Sequence, residues 1–295
     1  PTLSPKRGGR LTRLTPAPHT PGMTGQTADG ALAYPAVPGT IGSRAFMMLT
    51  IETAINDGMW APGDRLPSER SLVETFKLSR PLVREVLRGL EERGHIEVIP
   101  ARGSFVRGPN ASDASRPLHS LYQRSGVTAH HLVVARIMLE CEAASLAAAS
   151  SDAEAKDRIR QILVAHESAV DTSKRADLDV AFHEAIVRAS GNPVLRIMFG
   201  SIRPLVRGLI IRSLTDREVR RAGEPLHQDI LEAILAADAQ AARDAMHTHV
   251  SLALQYYGDD LDQPLSTVLR NRAAAEAKTD DLLAILRQFD SLSTP

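Results

Sequence analysis

Residues 61 to 107, APGDRLPSERSLVETFKLSRPLVREVLRGLEERGHIEVIPARGSFVR, constrain the fold more tightly than any other stretch of the chain. Pro67-Ser68-Glu69-Arg70 opens a helix. Ser68 is a good N-cap, and Glu69 falls in the first turn, where the helix dipole favours an acid. Leu72 and Phe76 give this helix an apolar stripe. Lys77-Leu78-Ser79 makes a turn, and Ser79 is placed to cap a second helix that tolerates Pro81 near its start. On that second helix Val83, Leu87 and Leu90 recur at helical spacing and face inward, whereas Arg80, Arg84 and Arg88 share the outward face. Gly94 ends it. His95 to Ile99 then alternates as a strand does, Arg102-Gly103 makes a tight tip, and Ser104-Phe105-Val106 returns.

Two helices at helix-turn-helix spacing, the second carrying a row of arginines and followed by a small β-wing, predict a winged helix-turn-helix. Such a helix fits the major groove of double-stranded DNA, and arginine forks reach both phosphates and guanine edges. The plainer alternative is a helical hairpin whose arginines form a solvated face.

The segments GDRLPSER, LSRPLVREVLRGLEERG and ARGSFV, in that order, resemble the GntR family of bacterial transcription regulators over about residues 41 to 107. The resemblance implies DNA contacts from Arg70 on the first helix, from Ser79, Arg80 and Arg84 around the recognition helix, and from Gly103 at the wing tip. One departure matters. The family usually places Thr-Pro after its Ser-Arg, whereas Pro81-Leu82 stands here. Pro81 offers neither a hydroxyl nor an N–H, so a common polar contact is missing and the operator sequence is less predictable.

Around this stretch the chain divides by composition. Residues 1 to 40 are rich in Pro, Gly and Thr, with Lys6, Arg7, Arg10 and Arg13 against Asp29, and read as a disordered tail. The DNA-binding domain is expected over 41–107, its first helix running from about Ile41 to Asp57. A polar linker follows over 108–116. From 117 to 262 every segment reads helical and alanine- and leucine-rich, which predicts six or seven antiparallel helices. Residues 263–295 form an extension in which DDLLAILRQF makes a short amphipathic helix. The fold class is therefore mainly α: a winged helix-turn-helix followed by an all-α bundle. Formal net charge is zero, so any attraction to nucleic acid has to be local. The single cysteine, Cys141, excludes an internal disulfide, and no apolar run reaches membrane-spanning length. A soluble, cytoplasmic protein without membrane partners is expected.

Three places in the helical region carry metal-ligand chemistry. Asp179 and His183 stand at i and i+4, on one helix face. His227, in GEPLHQDILEAI, reads as lying at the start of a later helix, and His249, in RDAMHTHV, near the middle of the next. An Asp and three His converging inside a bundle would suit Zn²⁺ or a similar divalent ion. Spacing alone leaves this open, because ten histidines are scattered along the chain and lone histidines usually sit at the surface or satisfied in a core. His247, two residues before His249, reads as ordinary. Arg136 with Glu140 one turn later reads most simply as a surface ion pair.

This region also looks like the FCD effector-binding domain, which accompanies the winged helix in the FadR branch of GntR regulators. The segments that carry the likeness are ARIMLECEAASLAA, DVAFHEAIVRASGNPVL and EPLHQDILEAILAADAQAARDAMHTHV. It implies that Asp179, His183, His227 and His249 ligate a divalent metal, Zn with Ni or Mn as alternatives. It also places Arg136 in a pocket, gripping the carboxylate of an organic or sugar acid. Asn192 occupies a pocket-edge position of the family, but capping the helix that begins at Pro193 explains it.

Together these readings describe a homodimeric transcription regulator on a pseudo-palindromic operator, whose DNA affinity a small acid weakens. Two alternatives stand beside it. One is a metal-dependent enzyme using the Asp/His cluster, for which Glu140 is the sole nearby acid-base candidate. The other is a DNA-binding protein with no effector, whose histidines merely pack.

Overall fold

The computed structural model describes Tyr34, residues 42–110, Asp113 and residues 115–275. The expectations for the N-terminal tail and for the helix DDLLAILRQF fall outside the described residues, apart from Tyr34. The chain divides into two compact units, with the boundary after Gly108.

The first unit follows from its caps. Ser43 Oγ accepts from the N–H of Phe46 at 3.0 Å, so helix α1 spans Arg44–Asn56. Ser68 Oγ accepts from Ser71 N–H at 3.2 Å and starts α2, Glu69–Phe76. Lys77, in the left-handed region at φ 52°, then stops it. Helix α3 spans Arg80–Glu92, with Pro81 in its first turn. Ser79 holds the cap position, but its side chain makes no capping hydrogen bond. Met47, Ile51, Leu72, Val83, Leu90 and Ile96 form the core, with Phe46 and Ile55 packed at its edge.

The wing is the antiparallel pair β1, Ile96–Ile99, and β2, Gly103–Val106, with Ile96 opposite Val106 and Ile99 opposite Gly103. The chain ahead of α2 adds a third edge. Val106 N–H donates to Asp64 O at 2.8 Å, and Leu66 N–H to Ser104 O at 2.9 Å. At the tip Gly103 has φ 109°, and a Cβ there would come within 3.1 Å of Arg65 Nε. Both the backbone angle and the close guanidinium require glycine.

The second unit is all helical among its described residues. The order is α4 Ser115–Arg124, α5 Ala129–Ala149, α6 Ala153–Glu167, α7 Thr172–Ala189, α8 Pro193–Thr215, α9 Arg217–Leu235, α10 Ala239–Tyr256 and α11 Leu265–Ala275. Asp152, Asp171, Asn192, Asp216 and Asp238 cap successive helices through their side chains. Asn192 Oδ1 accepts from Val194 and Leu195, which is the capping role expected of it. Ala143, Ala144 and Ala147 are fully buried along α5 and allow its neighbours to approach closely. The core includes Leu265 and Leu269 of α11, so packing continues past residue 262. One expectation is corrected. His227 lies in mid-helix, because Asp216 caps α9 well upstream and the helix continues through Pro225, which costs one internal hydrogen bond.

No helix among the described residues is long and apolar enough to cross a membrane.

Candidate metal centre and nucleic-acid interface

Three helices of the second unit bring the four expected ligands together. Each of Asp179 and His183 on α7, His227 on α9 and His249 on α10 offers one ligand atom, and these atoms all lie within 4.8 Å of one another. His183 Nε2 is 3.4 Å from Asp179 Oδ1, and His227 Nε2 is 3.4 Å from Asp179 Oδ2. His249 Nε2 lies 3.2 Å from His183 Nε2. Asp179, His183 and His227 are buried and His249 partly so. Asp179 Oδ1, both nitrogens of His227 and Nδ1 of His249 have no hydrogen-bond partner among the described residues. Buried polar atoms without partners are rare, and a clustered set of nitrogen and carboxylate donors has the chemistry to hold a divalent cation. His247, in contrast, is exposed.

Behind His183 stands Glu140, fully buried, with Oε2 only 2.6 Å from His183 Nδ1. A carboxylate this close favours the proton on Nδ1, while Nε2 faces the cluster and lies 3.3 Å from Arg136 Nη2. Glu140 also accepts from Arg136, through Nε at 2.6 Å and Nη2 at 3.1 Å. The pair is therefore not the surface ion pair that helical spacing suggests: both side chains are almost wholly buried. Arg136 Nη1 makes no hydrogen bond among the described residues, and Arg136 lines the cavity beside the cluster.

Burial opposes each charge here, and the neighbours decide the outcome. Burial raises the Glu140 carboxyl, but Arg136 and His183 bring it down to about 2. Burial likewise raises Asp179, yet the charge of His227 and contact with the imidazoles hold it well below the usual carboxylate range. His249 is lowered by burial, then by the charges of His227 and His183. His183 moves upward, because Glu140 and Asp179 outweigh burial.

Sequence reasoning missed His166 on α6. It is 3 % exposed, its Nε2 lies 3.7 Å from Asp179 Oδ2, and its ring centroid is 5.0 Å from that of His227. Burial lowers it to about 4. A signal was present: His166 continues the buried stripe Ile159–Leu163 at i, i+4, i+7, a histidine where an apolar residue belongs.

Of the residues singled out in the first unit, Arg70, Ser79, Arg80 and Arg84 are exposed and Gly103 is half-buried. Arg84 on α3 pairs with Glu69 on α2 at 2.9 Å, and Arg70 with Glu74 at 3.1 Å. Arg80 makes no ion pair among the described residues.

Residues 47–106 match the gntR family of bacterial regulatory proteins, and residues 131–252 match the FCD domain. The chain is 34% identical over 213 residues to the Glc operon transcriptional activator of Escherichia coli (strain K12), covering 68% of this chain and 84% of that protein. The chain belongs to the GntR family. Its FCD domain is consistent with the FadR-like branch, and its relatives are transcription regulators, not enzymes. Over 208 residues it is 28% identical to the HTH-type transcriptional regulator LutR of Bacillus subtilis (strain 168), covering 67% of this chain and 93% of that one. A solved structure, Streptococcus agalactiae GntR, matches with a TM-score of 0.53 at 22% identity over 72% of this chain and 99% of that one, a likeness of fold. This GntR-family chain is accordingly a DNA-binding transcription regulator of the GntR/FCD type.

Proposed function

We propose that a small carboxylate, an organic or sugar acid, controls operator binding from a metal-containing pocket in the helical unit. The observation that carries this reading is the convergence of four ligand atoms from three helices within 4.8 Å, with Asp179 Oδ1 and both His227 nitrogens buried and without hydrogen-bond partners among the described residues. Asp179, His183, His227 and His249 would hold a divalent ion, Zn, Ni or Mn, and Glu140 would orient His183 from behind. The ion supplies a Lewis-acidic centre that attracts carboxylate oxygens. Arg136 takes the other end of the carboxylate: Glu140 fixes the guanidinium plane, and Nη1 is directed to the ligand.

In the winged unit Arg70, Ser79, Arg80, Arg84 and the Gly103 tip meet double-stranded DNA. A homodimer places two winged helices on a pseudo-palindromic operator, doubling the recognised length. The acid weakens DNA binding only insofar as it binds the free dimer more tightly than the DNA-bound one.

Elemental analysis of protein purified without chelator should find a near-stoichiometric divalent metal. In a thermal-shift screen, small organic and sugar acids at millimolar concentration should raise Tm before chelation and lose that effect after it. Acid binding that survives complete metal removal would overturn the metal pocket. Operator affinity unchanged by an acid that demonstrably binds would overturn the control.

A further inference from the structure

His166 and Arg175 make part of the cavity lining polar in a way the metal and Arg136 do not use. His166 is buried, lines the cavity, and has no hydrogen-bond partner on either Nδ1 or Nε2 among the described residues. An imidazole always carries at least one N–H, so a buried ring with neither nitrogen paired calls for a ligand. One helical turn before Asp179, Arg175 lines the same cavity. Its Nη2 donates to Glu224 Oε1 of α9 at 2.9 Å, while its Nε is buried without a partner. His166 is not part of the four-ligand cluster, and 3.7 Å from Asp179 is too long for a hydrogen bond.

Charge points the same way. Arg136, Arg175 and the cavity-lining Arg220 are balanced by Glu140, Asp179 and Glu224, so the protein side of the site sums to zero. With a divalent ion bound the sum is +2, which a ligand carrying two carboxylates neutralises and a monocarboxylate does not.

From these observations we infer that His166 and Arg175 form a second anchoring point, and that the effector is a short dicarboxylic acid held at both ends. This rests on the carboxylate-at-metal reading above: one carboxylate meets the metal and Arg136, the other meets Arg175 Nε and His166. An acid ending in a methyl group leaves both of these donors buried and unpaired, which is the strongest ground a site has for rejecting a ligand.

The test is calorimetric titration of the full-length, zinc-loaded protein with 2-hydroxysuccinate and with 2-hydroxybutyrate. The two acids share the carboxylate and hydroxyl that would meet the metal, and differ only in a distal carboxylate against a methyl. The wild-type protein should bind 2-hydroxysuccinate at least about tenfold more tightly. Arg175→Met and His166→Leu should each bring the ratio toward unity while zinc content and affinity for 2-hydroxybutyrate stay within about twofold. Equal, chelator-sensitive binding of both acids by the wild type would overturn the second anchor and leave the metal pocket standing. Failure of both acids to bind the zinc-loaded protein would overturn the metal pocket and the second anchor together. Loss of zinc in His166→Leu would assign His166 to the metal and overturn its role here. The wild-type comparison needs no variant to fold.

Discussion

The two units use charged side chains in opposite ways. In the winged unit Arg70, Arg84 and Arg88 have side chains 70–82% exposed and pair with carboxylates that are themselves at the surface. Such pairs are worth about 0–1 kcal/mol, so exchanging a carboxylate for a DNA phosphate costs little. In the helical unit Arg136 is 5% exposed, and its partner Glu140 is fully buried. Removing one member of such a pair costs about 3–5 kcal/mol, because the other is left charged in a dry interior. One unit keeps its charges exposed and exchangeable; the other holds them fixed in a buried, preformed arrangement.

The largest effect that would break this contrast is at the cluster itself. Asp179→Ala is expected to lose bound divalent metal, with affinity falling by more than about 100-fold, since even residues behind a ligand account for 10–100-fold. Elemental analysis and a zinc titration would measure it. If Asp179→Ala retained full metal, the buried donors would have to be reinterpreted as ordinary packing. The winged unit offers the counterpart. Arg80, which has no ion pair among the described residues, would have nothing to give up on meeting DNA. Arg80→Ala should weaken binding to a DNA selected on the wild-type protein by about 10- to 100-fold, and Arg84→Ala by less. Fluorescence anisotropy across a salt series would decide between base and phosphate contact: a phosphate contact lowers the salt slope by about 1.

The same contrast explains what could be read without coordinates. Exposed function leaves a periodic trace: Arg80, Arg84 and Arg88 recur opposite Val83, Leu87 and Leu90, so the recognition helix and its wing are legible residue by residue. Buried function interrupts an apolar stripe without saying what it meets. Asp179 with His183 is visible as an i, i+4 pair, but that His227 and His249 reach the same point depends on how α9 and α10 pack against α5, and α5 against α7. Arg136 and Glu140 look like a surface pair by spacing, and His166 gives only a stripe position. Pro225 misleads in another way: proline ordinarily marks a helix start, and here α9 passes through it.

A smaller effect separates burial from charge. Tyr257, at the end of α10, donates to Leu209 O at 2.9 Å and lies under the Arg212 guanidinium. Burial pushes its phenol up to about 12. The folded value lies above the unfolded one of about 10, so this contribution is fully present below pH 10 and is lost as pH rises towards 12. Chemical unfolding at stepped alkaline pH should show a loss of about 2 kcal/mol over that window that Tyr257→Phe lacks. An identical alkaline profile in both proteins would mean that the phenol ionises as freely in the fold as outside it.

The smallest expected effect is the sharpest test of the winged unit, because it compares two serines at equivalent positions. Ser68 and Ser79 both stand at helix N-caps with extended backbone, yet only Ser68 uses its hydroxyl on its own helix, accepting from Ser71 N–H. A cap hydrogen bond of this kind is worth about 1 kcal/mol, so Ser68→Ala should lower the stability of the unit by roughly that amount. Ser79→Ala removes no capping bond and should leave stability within about 0.5 kcal/mol of wild type. If the Ser79 hydroxyl is instead reserved for a phosphate or base edge, Ser79→Ala should weaken DNA binding several-fold while Ser68→Ala changes it little at temperatures well below Tm. Denaturant unfolding and anisotropy on the same two variants measure both quantities. The two serines should therefore fail in different assays. Failure of both in the stability assay would show that Ser79 caps α3 in solution, and that the first turn of the recognition helix has no spare hydroxyl to present to DNA.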